Sequence, residues 1–181
     1  MRNDLFQRSF FSRFRGRRGY GIHSPFAFDL IVNVIRERAG YYAFREIVVP
    51  EERERSRCQL LFRLAEREGY RRALLVGRGR ELPARYLSAV SREMLLLDDG
   101  DGGSCWELFH AGRMEREPSR EELDSWLERR DRDHSCALIS DIRSNRSLWM
   151  HFRANARVSI EMSRDALLFF NPTLQPGHYL I

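Results

Sequence analysis

Between Leu60 and Asp99 the spacing of apolar residues changes from helical to strand-like and back, and this restricts the fold more than any other feature of the chain. Leu60, Leu61, Leu64 and Ala65 recur at helical spacing and Gly69 supplies a stop, which predicts a helix within EERERSRCQLLFRLAEREGY. Residues 73–76 form a short apolar run ending at Gly77-Arg78-Gly79. A helical stretch follows around LPARYLSAV, and residues 94–97 are a second apolar run ending at Asp98-Asp99-Gly100. Strand, glycine turn, helix, strand, acid is the order of a parallel βαβ unit, because parallel strands need a crossover and its helix covers the sheet. The expected class is α/β.

Other segments extend the pattern. Ser24 can satisfy an amide at a helix start and Pro25 lacks one, so a helix is expected over 25–38. Leu30, Ile31, Val34 and Ile35 share its inner face, Asp29, Asn33 and Arg36 lie off it, and Gly40 offers a stop. His23 reads as part of that helix start, bonding locally, and not as chemistry. Ser119 with Glu122 is a capping box for a helix through about residue 130. CALIS, 136–140, reads as a buried strand ending at Asp141, and Ser144 can start the helix RSLWMHFRA. Residues 157–162 and 166–170 read as two strands around Ser163-Arg164-Asp165, with Pro172 ending the second.

The 181 residues suit one domain with a short appendage. No apolar run reaches the roughly 18–20 residues a membrane span requires, and arginines interrupt the N-terminus too often for a secretory signal, so a cytoplasmic location is expected. Cys58, Cys105 and Cys136 are odd in number and widely spaced, which argues for reduced, packed thiols; the five histidines show no metal-ligand spacing, so no metal site is expected. Of 31 arginines six lie in residues 1–23, with Asp4 the one acid there, and the rest of the chain is balanced at 25 against 25. There is no lysine, a bias of the whole chain. Residues 1–23 therefore form a basic extension ahead of a domain over 24–181. Phe6, Phe10 and Phe14 lie at i, i+4, i+8 within it. As a basic amphipathic helix it could meet an anionic membrane surface or nucleic acid, or dock its phenylalanines on the protein's own core.

Chemistry is expected at the carboxyl ends of the strands. A glycine turn after the first strand lets backbone approach a cofactor, and an acid after the second can accept ribose hydroxyls, which nominates Gly77, Gly79, Asp98 and Asp99. Two glycines also suit a merely tight turn, and DDGDGG also reads as a solvated one. Asp141, after a later strand, is expected to face the same crevice as Asp98, or to cap the turn that follows it.

These stretches resemble a bacterial family of class I S-adenosylmethionine-dependent methyltransferase-like proteins. RRGYGIHSPFAFDLIVNVI is similar to its N-terminal R-x-G-x-G-I-H-S-P-F helix. QLLFRLAEREGYRRALLVGRGRELPARYLSAV resembles its first strand with the flanking helices and glycine turn, and LISDIRSNRSLWMHFRANARVSIEMSRDALLFF its closing helix and antiparallel hairpin. The resemblance implies a Rossmann-like sheet with N-terminal helices and a C-terminal antiparallel hairpin. It also implies S-adenosylmethionine as cofactor, with Gly77 and Gly79 at its backbone, Asp98 or Asp99 at its ribose, and Asp141 as the catalytic acid or base. The chain departs from that pattern. Leu75 replaces the acid that precedes the glycines, Glu81 the last glycine, and Ser140-Asp141 and Arg143 stand for paired acids and a histidine. The interval from Asp99 to Cys136 leaves the fold about one βα unit short. Two readings follow: an S-adenosylmethionine-dependent methyltransferase, or a degenerate, non-catalytic domain that binds a partner and uses residues 1–23 as an anchor to an anionic surface.

Overall fold

The computed structural model describes residues 22–49, 51–99 and 103–181. Helix α1 (Pro25–Leu30) continues into a π-helical turn over Ile31–Ile35, a short α2 spans Ala43–Glu46, and α3 (Glu52–Glu68) leads into strand β1 (Arg72–Val76). Helix α4 (Glu81–Ser88) connects β1 to β2 (Leu95–Leu97). Then come β3 (Leu108–Ala111), α5 (Arg120–Glu128), β4 (Cys136–Ile139), α6 (Arg146–Asn155), β5 (Val158–Glu161), β6 (Ala166–Phe169) and β7 (Gly177–Leu180).

The strands make one mixed sheet in the order β2-β1-β3-β4-β6-β5-β7. Strands β2, β1, β3 and β4 are parallel, β6 runs antiparallel between β4 and β5, and β7 pairs parallel with β5. This is an α/β sheet compatible with a Rossmann-like fold, with the expected βαβ unit and the expected hairpin. The chain runs outward from β1 to β2 and returns to the other side of β1 for β3. Right-handed crossovers in opposite directions put their helices on opposite faces. Leu87 of α4 accordingly packs with Ala73 and Leu75 of β1, while Leu123 and Trp126 of α5 pack with Leu74 and Val76. Helices α1 and α3 share the α4 face; α6 joins α5. Covered on both sides, β1 reads as an unbroken apolar run and not as an alternation.

The helix expected over 25–38 ends early. Ser24 caps it, its Oγ accepting the Ala27 amide at 3.3 Å, and Leu30, Ile31 and Val34 are fully buried. The last turn widens, the Arg36 amide reaching back to the Ile31 carbonyl at 3.1 Å, and Gly40 falls in the loop beyond. His23 is exposed. Helix α3 stops where expected, at Gly69 with φ +72°. The box of Ser119 and Glu122 is formed in both directions. Helix α6 begins two residues later than Ser144, at Arg146. Cys58 and Cys136 are buried and Cys105 is partly exposed. The basic extension, with Phe6, Phe10 and Phe14, lies outside the described residues save for Ile22 and His23. Among the described residues no helix is long and apolar enough to cross a membrane.

Candidate functional site

The reversal at β1 and β3 is a topological switch point, where open α/β sheets leave a crevice outside the carboxyl ends of their strands. Cavities lie along the carboxyl edge of the sheet, one at the switch point and a larger one towards β4 and the β5–β6 turn. The first, about 660 Å³, is lined by Val76, Gly77, Arg80, Asp99, Arg116 and Trp126 among others. It brings together two of the sequence-nominated residues, Gly77 and Asp99.

The backbone around Gly77 is engaged by the loop after β3. Gly77 has φ +81°, and a Cβ there would sit 3.0 Å from the Arg113 carbonyl oxygen and 3.1 Å from Gly112. A Cβ on Gly112 would clash with the Arg78 carbonyl oxygen. The Arg78 amide donates to the Arg113 carbonyl and the Gly112 amide to that of Val76, both at 2.9 Å. The space that glycine leaves here admits protein backbone. Gly79, at φ +73°, supplies the second left-handed position of the same turn.

The acids after β2 also have partners. Asp99 accepts a hydrogen bond from the Trp126 indole, and its carbonyl accepts one from Arg129 at 3.2 Å. Asp98 pairs with Arg80 at 3.2 Å. Leu75 is buried on the opposite face, among residues of α3 and α4, so no polar group occupies its position. Glu81 is exposed in the first turn of α4, where the helix dipole favours an acid.

Asp141 and Asp98, expected at one crevice, are held by different partners. Asp141 is the one non-glycine residue with positive φ, +50°, among the described residues. Its amide donates to Asp165 Oδ1 at 2.9 Å, its carboxylate accepts the Ser144 hydroxyl at 3.2 Å, and its carbonyl accepts the Ser144 and Asn145 amides. It thus organises the turn into α6. Asn145, buried, extends the same lattice: its Nδ2 donates to the Gly112 and Ser140 carbonyls at 2.9 and 2.6 Å, and its Oδ1 accepts the Met114 amide at 3.2 Å. One side chain therefore ties the loop after β3 to the end of β4.

Sequence reasoning missed Asn145, and it missed a polar group on the α3 face. Asp165, from the β5–β6 turn, receives Arg57 in bidentate fashion, Nε to Oδ2 at 3.0 Å and Nη2 to Oδ1 at 2.7 Å, with Arg53 at 3.5 Å. Burial pushes the Asp165 carboxyl up, but Arg57 and the Asp141 amide outweigh it and hold the group below its ordinary range. His110 on β3 is 4% exposed, with Nε2 3.1 Å from Ser140 Oγ and Nδ1 without a partner among the described residues. Burial, reinforced by the charge of Arg57, pushes its pKa down to about 4, so the ring is neutral at pH 7. The second cavity, about 1150 Å³, opens beside this group, lined in part by Arg57, Asp165 and Leu138.

The chain matches no protein-family model and no curated protein.

Proposed function

We propose that this chain is a methyltransferase-type Rossmann-like domain, short of one βα unit, that works as a binding module and not as an efficient methyl-transfer catalyst. The hairpin after a run of parallel strands, and the single strand and helix between Asp99 and Cys136, support the first half of the reading. The observation that carries the second half is the state of the nucleotide crevice. The glycine turn that a cofactor's backbone contact requires is paired to Gly112 and Arg113, and Asp99 is engaged by Trp126, while Asp98 forms an exposed pair with Arg80. S-adenosylmethionine, when bound, supplies a methyl group on a sulfonium. A site for it needs close backbone approach, an acid for the ribose and a polar grip on the methionine end, and Leu75 offers no such grip. These residues do not fit the cofactor as they stand, and Asp141 is placed to shape a turn.

The test is isothermal titration of the full chain with S-adenosylmethionine and S-adenosylhomocysteine. Dissociation constants weaker than about 100 μM are expected, roughly 5.5 kcal/mol of binding free energy. Low-micromolar binding abolished by Asp98→Ala would reverse the reading and make Gly77, Gly79, Asp98 and Asp99 a working cofactor site with Asp141 as the candidate acid or base.

The concentration of net positive charge in residues 1–23 favours an anionic partner for that segment. Binding to anionic vesicles or nucleic acid is then expected to fall steeply with salt, and to disappear in a chain starting near Gly19. Equal, negligible binding by both chains would leave the phenylalanine stripe a docking role only.

A further inference from the structure

The larger cavity lies between α3, the loop after the π-helical turn and the β5–β6 turn. Five arginines line it: Arg36 and Arg38 from the loop, and Arg53, Arg57 and Arg63 from α3. Positions 53, 57, 60 and 63 form one stripe of a helix, so the three α3 guanidiniums and Leu60 share a face. Three carboxylates stand against them, Glu37, Glu52 and Asp165. Asp165 is taken by Arg57, Arg53 and the Asp141 amide, and Glu37 accepts the Tyr41 hydroxyl at 3.1 Å.

Of the other three arginines Arg36 and Arg38 are exposed and Arg63 is buried. It is 7% exposed, its Nη1 donates to the Glu37 carbonyl at 3.0 Å, and its Nε has no hydrogen-bond partner among the described residues. Glu37 acts on it through space, and burial still lowers its affinity for its proton. A guanidinium stays charged, and a buried charge requires a counter-charge with matching hydrogen bonds. The remaining lining mixes apolar side chains, among them Val32, Ile35 and Met162, with Ser56, Gln59 and Ser163.

We infer that this cavity binds a small organic anion, its phosphate or carboxylate group held by Arg63 with Arg36 and Arg38, and its apolar body resting on Val32, Ile35 and Met162. Guanidinium forks match both oxyanions in geometry, and the apolar side chains beside them favour an anion that carries an organic body. The site lies on the α3 side of the sheet, whereas the glycine-turn cavity is bounded by α5, so it stands whether or not S-adenosylmethionine binds.

The full chain is titrated with phenyl phosphate, benzoate and neutral phenol, by calorimetry and by amide chemical shifts. At least one anion is expected to bind about tenfold or more tightly than phenol, and the tighter of the two identifies the head group. Arg63→Gln is expected to weaken that anion about tenfold, the Arg36→Gln, Arg38→Gln double variant likewise, and Asp98→Ala not at all. The double variant changes exposed loop positions, so it decides the matter should the buried Arg63→Gln fail to fold. Phenol binding as tightly as the anions, unaltered affinity in the double variant, or no anion binding up to about 10 mM, weaker than roughly 3 kcal/mol, would overturn the assignment.

Discussion

Gly77 and Gly69 have nearly the same φ, +81° and +72°, and different surroundings. A Cβ at Gly69 would meet nothing within 4 Å, while one at Gly77 would press on the backbone of Gly112 and Arg113. Gly69→Ala therefore incurs only the left-handed conformation, about 1 kcal/mol. Gly77→Ala adds the displacement of a neighbouring loop, for about 2–4 kcal/mol in all. Urea denaturation of the two variants separates the contributions; equal losses would mean that the loop after β3 does not press on the glycine turn. His110 sets a pH dependence at the same scale. Its folded pKa of about 4 lies below the ordinary value of 6.5, so above pH 6.5 both states are neutral and nothing is lost. As pH falls from 6.5 towards 4 the unfolded chain takes up a proton that the folded one refuses, and stability drops by up to about 3 kcal/mol. Asp165, held below its ordinary range, adds a further loss at more acid pH as it is protonated. His110→Gln, which cannot titrate, is expected to flatten the profile between pH 4 and 6.5; an unchanged slope would assign it to other groups.

At the scale of elements, α1 and its π-helical turn depend on a cap and a narrow apolar face. Ser24→Ala is expected to cost about 1 kcal/mol, because the Ala27 amide loses its acceptor in a buried setting. Ile31→Ala removes a fully buried side chain and is expected to cost about 2–5 kcal/mol in thermal or chemical unfolding. A change below about 0.5 kcal/mol, ordinary for a surface site, would contradict its place in the core. Elements with a strong local signal were legible: α3 with its glycine stop, the capping box of α5, and β1 and β2 with the turn between them. Strand β3 was not, because LFHA is four residues long with a histidine in it, and only its pairing with β1 and β4 makes it a strand. Strand β7 lies at the sheet edge with alternating exposure and a glycine start, so it carries no apolar run. The π-helical turn depends on which residues reach the core, which helical spacing alone does not specify. Of the site, the general rule for strand ends placed Gly77 and Asp99 together. The clamp of Arg57 on Asp165 spans 108 positions and the bonds from Asn145 to Gly112 span 33, distances over which local pattern carries no information.

For the whole molecule, the reversal of direction at β1 leaves a crevice outside the carboxyl ends of the strands, and backbone pairing crosses part of it. Asn145, Gly112 and the glycine turn join the ends of β1, β3 and β4 beside the smaller cavity. The larger cavity lies on the α3 side, lined with arginine. Pairing of the glycine turn with the loop after β3 is read by amide hydrogen exchange at Arg78 and Gly112, whose N–H groups donate to Arg113 and Val76. Both amides are expected to be protected in the ligand-free chain, and their exchange unchanged by about 1 mM S-adenosylmethionine, a concentration that would fill any site of useful affinity. Rapid exchange at both positions without ligand, slowed on addition of S-adenosylmethionine, would show an open turn that closes on a cofactor and would contradict the account.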